Sequence, residues 1–296
     1  MRNPFVSAVV AAMLALACSS RGSDAQPSSQ LDASPDGPVE QYDAKGCLVP
    51  YYGVQPGAAC ITSLKGRVVD SDGKPIVELI TTACGDGCTF GKTDPTGLTS
   101  MVVRRYMRKA AMMLHGRSKY ASYYTAIAGE GDIDKGTMVL PKMPADGVVV
   151  PEDGVATTIT SGDVKLLLPA GLKVEIDKLE LADPEEQKYR SLSVPLDKAP
   201  PFADPALKIV AVYAMTPFAT GLEPGVGASV QNRAGLAAGA AVEFFVHGTN
   251  LKDMNGPFAG FTKLAEGHVS ADGKTIDTDP GQYIPELTWL GIRLKP

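Results

Sequence analysis

Residues 64–76 read LKGRVVDSDGKPI, and they decide the fold that the sequence predicts. Residues 64–70 alternate apolar and polar side chains in the manner of a half-buried β-strand. Asp70 to Pro75 then combine the residue types of a turn, with Gly73 free to take a positive φ. A second apolar and β-branched run covers residues 76–82. The stretch therefore predicts two strands joined by a tight turn.

Strand and turn signals recur along the rest of the chain. Residues 93–97 (TDPTG) predict a turn that leads into a strand at residues 98–103. Residues 164–168 and 209–214 have the composition of further buried strands. The 296 residues include 31 glycines and 23 prolines, which interrupt these runs. We therefore predict an all-β protein.

A spaced motif in the first half resembles a known family. Its positions are Gly66, Val68, Asp70, Gly73, Pro75 and Ile76, followed by Thr93, Asp94 and Gly97. This order resembles the carboxypeptidase regulatory-like domain, a small transthyretin-like or immunoglobulin-like β-sandwich, over about residues 61–145. The resemblance implies a domain that accompanies peptidases without being one. The basic, Met-rich stretch at residues 104–119 departs from the family pattern.

A second resemblance covers roughly residues 205–290. Its positions are Asn232, Gly235, Leu236 and Gly239, then the stretch from Gly267 to Gly273, and finally Gly281 and Trp289. They are similar to a β-module of large bacterial surface proteins and teneurins, which follows transthyretin-like domains there. The resemblance implies a structural role. We therefore divide the folded chain into a sandwich at residues 47–145 and a second β-rich domain at residues 146–296.

The N-terminus is typical of an exported lipoprotein. Residues 1–17 contain one cation, Arg2, and an apolar run that is too short to span a bilayer. The run ends in LALAC, which resembles the lipobox and implies cleavage before Cys18 and lipidation of that cysteine. Plain secretion is the alternative, because Ala15 and Ala17 also suit an ordinary signal peptidase.

The residues that follow predict a tether and a location. Residues 18–46 are rich in Ser, Asp, Pro and Gln, so they cannot bury enough apolar surface to fold and should form a disordered spacer. Ser19 and Ser20 follow Cys18, with no Asp directly beside it, and in lipoproteins of Gram-negative bacteria that pattern implies the outer membrane. The expected location is the bacterial cell envelope, with the membrane as a partner through the lipid.

The cysteine count agrees with export. Of five cysteines, Cys18 is assigned to lipid, and four remain. Sequence proximity favours the disulfides Cys47–Cys60 and Cys84–Cys88, the second across a Gly-Asp-Gly hairpin tip. A four-thiolate zinc site is the alternative, although only the second pair has the usual zinc spacing.

A basic segment with interleaved tyrosines is the one candidate binding site. It includes Arg104, Arg105, Tyr106 and Arg108, and it continues through Arg117 and Lys119 to Tyr124. Such a segment could bind an acidic polysaccharide or lipid phosphates, whereas the alternative is a solvated strand face. The net charge of −5 gives no case for nucleic acid.

No motif in the chain predicts catalysis, a metal or a cofactor. The three histidines, His115, His247 and His268, lack metal-ligand spacing, and no serine-hydrolase elbow is present. We therefore predict a non-enzymatic envelope lipoprotein with a structural or adhesive role. The alternative is a carbohydrate-binding module, and the partner would be a polysaccharide or another envelope protein.

Replacing Cys18 by serine should release the protein into the soluble fraction. The variant cannot be acylated, while Ala15 and Ala17 still permit ordinary cleavage. Fractionation of cells by centrifugation, followed by immunoblotting, measures the change. A Cys18→Ser variant that stays with the membranes would contradict lipidation at this residue.

Overall fold

The fold is all-β, as the sequence predicts. The computed structural model describes residues 41–152, 154–178, 180–250 and 257–296, so the predicted signal peptide, Cys18 and tether residues 19–40 lie outside the described residues. For the last part of the predicted tether, residues 41–46, the expectation of disorder is wrong. These residues form a turn, because the carboxylate of Asp43 accepts hydrogen bonds from the amides of Lys45 and Cys47. In this part of the chain no helix is long and apolar enough to cross a membrane. The strands are β1 Ala59–Val69, β2 Ile80–Cys84, β3 Cys88–Lys92, β4 Leu98–Met107, β5 Ala111–His115, β6 Tyr123–Ala126, β7 Gly131–Val139, β8 Thr157–Ser161, β9 Val164–Leu168, β10 Lys173–Glu175, β11 Arg190–Val194, β12 Ala211–Thr216, β13 Thr220–Gln231, β14 Ala241–His247, β15 Phe261–Val269, β16 Thr275–Thr278, β17 Ile284–Leu287 and β18 Trp289–Leu294. Two short 3-10 helices are present at Leu196–Lys198 and Pro205–Leu207.

The first seven strands form two sheets. In one sheet, β1 lies between β4, which is antiparallel to it, and β7, which is parallel to it. The other sheet has the order β3-β2-β5-β6 and is antiparallel throughout. The apolar side chains of the quoted stretch, Leu64 and Val68 among them, point into the core between neighbouring strands. Asp70 closes the turn because its carboxylate accepts hydrogen bonds from the amides of Asp72 and Lys74, each at 2.9 Å.

The second predicted strand begins four residues later than expected and ends two residues later. The prediction was residues 76–82, and the observed strand is Ile80–Cys84. Thr93 causes the difference, because its hydroxyl donates to the carbonyl of Ile76 at 2.6 Å and accepts from the amide of Leu79 at 2.9 Å. These bonds take the place of hydrogen bonds to a neighbouring strand. Ile76 and Leu79 are therefore buried in the core although they precede the strand.

The remaining strands form one eleven-stranded sheet. Its main path runs β11-β12-β18-β14-β15-β16-β13-β9-β8, and both β10 and β17 pair with β13. The two ends of this path approach each other, because the amide of Ser191 in β11 donates to the hydroxyl of Ser161 in β8 at 3.0 Å. The sheet is therefore nearly closed, and its interior is a second apolar core.

Aromatic side chains join the sandwich to the eleven-stranded sheet. The indole N–H of Trp289 donates to the carbonyl of Ser122 at 2.7 Å, and the backbone N–H of Tyr124 donates to Nε2 of His247 at 3.1 Å. Phe202 stacks on the imidazole of His247 at 4.0 Å between ring centroids. One hydrophobic core thus contains side chains from both parts, and the division of the chain at residue 146 stays a prediction.

Protonation of His247 should destabilise the fold. Complete burial lowers the pKa of this imidazole from 6.5 to about 3. The neutral ring therefore stabilises the fold fully above about pH 6.5, and the stabilisation is lost as the pH falls towards 3, at about 1.4 kcal/mol per pH unit. Urea unfolding at several pH values should show this slope in the wild type and a shallower one in His247→Gln.

The exposed His268 provides the matched control for this measurement. His268→Gln also removes one imidazole but leaves the buried His247 in place, so it separates the effect of His247 from the loss of any histidine. Equal slopes for the wild type and His247→Gln would show that the buried imidazole does not couple folding to pH.

Candidate functional site

The four cysteines of the described chain form two local disulfides. Cys47 pairs with Cys60 at a Cα–Cα distance of 5.9 Å, and Cys84 pairs with Cys88 at 4.2 Å. Cys84 and Cys88 are directly opposite each other in the β2–β3 hairpin. These are the two pairs that sequence proximity favoured, and they leave no thiolate of the four for the alternative zinc site.

Two of the four predicted binding residues are engaged inside the protein. The hydroxyl of Tyr106 donates to the carboxylate of Asp43, and this bond lowers the pKa of Asp43. The guanidinium of Arg108 donates to both carboxylate oxygens of Asp86, with distances from 2.8 to 3.2 Å. Tyr106 and Arg108 therefore stabilise neighbouring loops, and Asp86 neutralises the charge of Arg108.

The other two, Arg104 and Arg105, lie side by side on the surface. A β-bulge causes this arrangement, because β4 has one residue more than β1 between the pairs Ile61–Arg105 and Ser63–Val102. Arg104 takes a φ of 48° in the bulge, and its guanidinium lies 5.8 Å from the ring centre of Tyr42. Arg104 also lines an open depression of about 640 Å³ together with Lys45 and Asp132.

A more enclosed cavity lies where loops of the two β-parts meet, and we call it the Tyr124 cavity. Its volume is about 240 Å³. It is lined by Met113, Arg117, Ser122, Tyr124, Asp177, Glu180, Leu181, Pro217, Phe218 and Ala219. Tyr124 comes from β6, Arg117 from the loop before it, and Phe218 from the turn between β12 and β13. The rings of Tyr124 and Phe218 are 6.0 Å apart and form an aromatic wall.

The polar side of the Tyr124 cavity combines carboxylates with a guanidinium. Nδ1 of His115 is 2.7 Å from the carboxylate of Glu180, and this contact lowers the pKa of Glu180. Arg117 forms an ion pair with Glu186 at 3.3 Å, which occupies one of its five N–H donors. Burial, with the nearby charges of Glu180 and Glu286, raises the pKa of Tyr124 to about 12, so its hydroxyl stays protonated. The cavity therefore offers hydrogen-bond donors and acceptors beside an aromatic surface.

A hydroxyl–imidazole–carboxylate chain lies next to this cavity. The hydroxyl of Thr82 is 3.2 Å from Nε2 of His115, whose Nδ1 contacts Glu180. The same order of groups activates the nucleophile in many hydrolases. Here, however, Thr82 is only 2% exposed and does not line the cavity. The chain of contacts therefore fixes the imidazole and gives a substrate no access to the hydroxyl.

Sequence reasoning found only part of the Tyr124 cavity. Arg117 and Tyr124 belong to the basic, tyrosine-rich run that was singled out, but Asp177, Glu180 and Phe218 carried no signal. These three residues are in loops of the second half of the chain, and only the fold brings them to β6. Trp289, by contrast, is 0% exposed, so it anchors the core and cannot stack on a sugar.

Comparisons with known proteins leave the family of this chain open. No protein-family model matches it, and no curated protein matches it. Among solved structures, the Bacillus anthracis TIE protein is 8% identical, with a TM-score of 0.23 over 80% of this chain and 49% of that one. A proposed carbohydrate-binding protein from Bacteroides uniformis is 7% identical, with a TM-score of 0.22 over 76% of this chain and 81% of that one. A DUF3823 family protein from Bacteroides ovatus is 12% identical, with a TM-score of 0.19 over 78% and 90% of the two chains. This chain spans about half of the TIE protein, and TM-scores this low carry no argument about its fold or function.

Removal of the Cys47–Cys60 disulfide should lower the free energy of unfolding by about 3 kcal/mol. The bond closes a loop with a sequence separation of 13, so its loss increases the entropy of the unfolded chain. The matched removal of Cys84–Cys88, with a separation of 4, should cost about 2 kcal/mol. Urea unfolding of the two Cys→Ser double variants measures both values, and unchanged stability in either would show that the bond is not formed.

Proposed function

We propose that this protein is a non-catalytic, exported lipoprotein of the cell envelope that binds a neutral glycan in the Tyr124 cavity. The observation that carries the proposal is the composition of this cavity, in which an aromatic wall faces both a guanidinium and carboxylates. The expected role is adhesive, because a lipid at Cys18 would keep the protein on the membrane while the cavity binds a glycan.

The mixture of groups favours a polyhydroxylated ring over other small ligands. Each sugar hydroxyl both donates and accepts, so it is best bound by acceptors such as Asp177 and Glu180 together with a donor such as Arg117. The apolar face of a sugar ring can pack on the ring of Phe218. An acidic sugar fits less well, because Asp177 and Glu180 outnumber the one cation among the lining residues. We therefore propose a neutral glycan.

Export is supported by the two disulfides and by the N-terminal sequence. Disulfides persist in oxidising compartments, and both bonds here close local loops in an all-β protein. The resemblance of LALAC to a lipobox supports lipidation of Cys18 and, with no Asp after it, the outer membrane. The motif from Gly66 to Gly97 supports a carboxypeptidase regulatory-like domain for the first sandwich.

A non-catalytic role is supported by the position of the one hydroxyl–imidazole–carboxylate chain. A nucleophile must reach the substrate, and Thr82 is a buried residue of β2. The cavity is thus suited to binding, where fixed donors and acceptors are sufficient.

Binding to a panel of neutral and acidic oligosaccharides tests the proposal. Calorimetry with the best neutral ligand should then show roughly 10- to 100-fold weaker binding for Arg117→Gln, since a hydrogen bond to a charged group is lost. Phe218→Leu keeps the apolar volume but removes the flat ring, and it should also weaken binding, by roughly 2- to 10-fold.

Arg108→Gln is the matched control for the arginine substitution. Arg108 is also an exposed arginine in an ion pair, but its partner is Asp86 and it lies outside the cavity. This variant should bind the glycan as the wild type does. Equal loss in Arg108→Gln and Arg117→Gln, or an absence of neutral-glycan binding by the wild type, would refute the proposed site.

A further inference from the structure

Two tyrosines form the tip of a tight turn inside the Cys47–Cys60 loop. The amide of Gly53 donates to the carbonyl of Pro50 at 2.8 Å, which places Tyr51 and Tyr52 at the two central positions. Gly53 has a φ of 75° and so ends the turn without strain. We call residues 50–53 the tyrosine turn. Tyr51 is 91% exposed and Tyr52 is 86% exposed, although their rings are only 5.0 Å apart.

The tyrosine turn belongs to a larger exposed apolar surface. Large apolar side chains in the preceding and following residues are also exposed, namely Tyr42, Val49 and Val54. Single exposed apolar residues are normal, but five within residues 42–54 form a contiguous stretch of sequence that the fold leaves open. Burial in the core therefore does not explain these side chains.

Arg104 and Arg105 lie beside this stretch. The amide of Leu48 donates to the carbonyl of Arg104 at 2.9 Å, and Leu48 forms a parallel bridge with Arg105. Of the other cations nearby, Lys45 contacts Glu130 and Arg108 contacts Asp86. The nearby carboxylates Asp43 and Asp132 accept hydrogen bonds from hydroxyl groups, and Asp132 lines the same depression as Arg104. Among the described residues, neither Arg104 nor Arg105 has an ion-pair partner. The surface therefore combines exposed aromatic side chains with two arginines that are free to contact an anionic surface.

The chain that leads from the predicted anchor arrives at this same surface. Gln41 is the first described residue, and its carbonyl accepts a hydrogen bond from the amide of Val49 at 2.8 Å. Tyr42 bridges to Leu48. The described chain thus begins in the face that carries the tyrosine turn, 23 residues after Cys18. If Cys18 carries lipid, this face is the part of the folded protein closest along the chain to the membrane.

We infer that the tyrosine turn, with Arg104 and Arg105, docks onto the anionic lipid surface of the membrane that holds Cys18. The inference rests on the proposed lipid anchor. Tyrosine is enriched where one end of the side chain is apolar and the other is wet, as at the level of lipid headgroups. Cations near an anionic leaflet add electrostatic attraction to this contact.

A glycan or a protein partner fits this surface less well. Sugar recognition needs fixed donors and acceptors around the ring, whereas the flanks of the tyrosine turn are the aliphatic Val49 and Val54. A protein interface usually has a packed apolar centre, but the two tyrosines are on a four-residue turn and are almost fully exposed. Shallow insertion of the tyrosines among lipid headgroups requires neither fixed hydrogen-bonding groups around a ring nor a packed apolar centre.

Vesicle sedimentation of the full chain that carries Cys18→Ser, isolated after cleavage of its leader, tests docking without the lipid. Binding to vesicles that contain phosphatidylglycerol should fall roughly tenfold or more in Tyr51→Ser/Tyr52→Ser, because two apolar side chains no longer enter the interface. Arg104→Ser/Arg105→Ser should weaken binding to these vesicles by about fivefold for each arginine and leave binding to phosphatidylcholine vesicles unchanged. Tyr283→Ser, which changes a half-exposed tyrosine elsewhere, should have no effect.

Nitration of tyrosines in the lipidated protein, reconstituted in the same vesicles and read by mass spectrometry, provides the second measurement. Tyr51 and Tyr52 should be protected from nitration several-fold relative to Tyr283 and should lose this protection when detergent replaces the vesicles.

Equal nitration of the three residues in anchored protein would overturn the docking inference while leaving the anchor intact. If Cys18 carries no lipid, the anchor fails, and vesicle binding by the Cys18→Ser protein still decides docking. Vesicle binding that is unaffected by both double substitutions, or binding of the turn to the glycan panel instead, would also overturn it.

Discussion

The structure depends on two hydrogen bonds that satisfy backbone groups at the unpaired edge of strand β6. β6 pairs only with β5, so the carbonyl of Ser122 and the amide of Tyr124 have no strand partner on the other side. The indole of Trp289 and the imidazole of His247 satisfy these two groups from the second half of the chain. A buried backbone group without a partner costs about 1–3 kcal/mol, so neither ring can be exchanged for an apolar side chain of similar size without loss. The only tryptophan of the chain thus both fills the core and pairs the edge of a sheet.

The same contact determines the shape of the Tyr124 cavity. Because its backbone amide is bound to His247, Tyr124 lies at the boundary between the two parts with its ring against Phe218 and Phe258. The loop of Arg117 approaches from the sandwich, and Glu180 approaches from the larger sheet. A shift of one part against the other would separate these groups. Stability and ligand binding therefore depend on one set of contacts, which is why a variant for binding studies has to keep the backbone bonds of β6.

Local patterns allowed most of the fold to be predicted, and they did so wherever neighbouring residues decide the conformation. The turn at Asp70, the strand at residues 98–103 and the tip between Cys84 and Cys88 are all set by residues close in sequence. The shift of the second strand was not predictable, because it depends on the hydroxyl of Thr93, which bonds across a long separation to Ile76 and Leu79.

The Tyr124 cavity as a whole could not be predicted from the sequence for the same reason. Its tyrosine and arginine were visible as an unusual run, but Phe218 and Glu180 are ordinary loop residues until the sheets meet. For the Arg104–Arg108 segment, the pattern indicated charge correctly but could not show that Asp86 neutralises Arg108.

In the loop closed by the Cys47–Cys60 disulfide, the backbone path and the side chains at the tip have different explanations. β4 is an edge strand, and exposed edges invite pairing with other chains. The bond from Leu48 to Arg104 covers part of this edge, and the disulfide keeps the covering segment in place. This protective role explains the backbone path of the loop and the bulge at Arg104.

Protection of the edge does not explain the composition of the tip, because Ser, Asn or Asp in the turn would serve a covering loop equally well. Two tyrosines with almost fully exposed rings lower solubility and add no contact to the core. The exposure of these two tyrosines is therefore best explained by contact with a surface outside the protein.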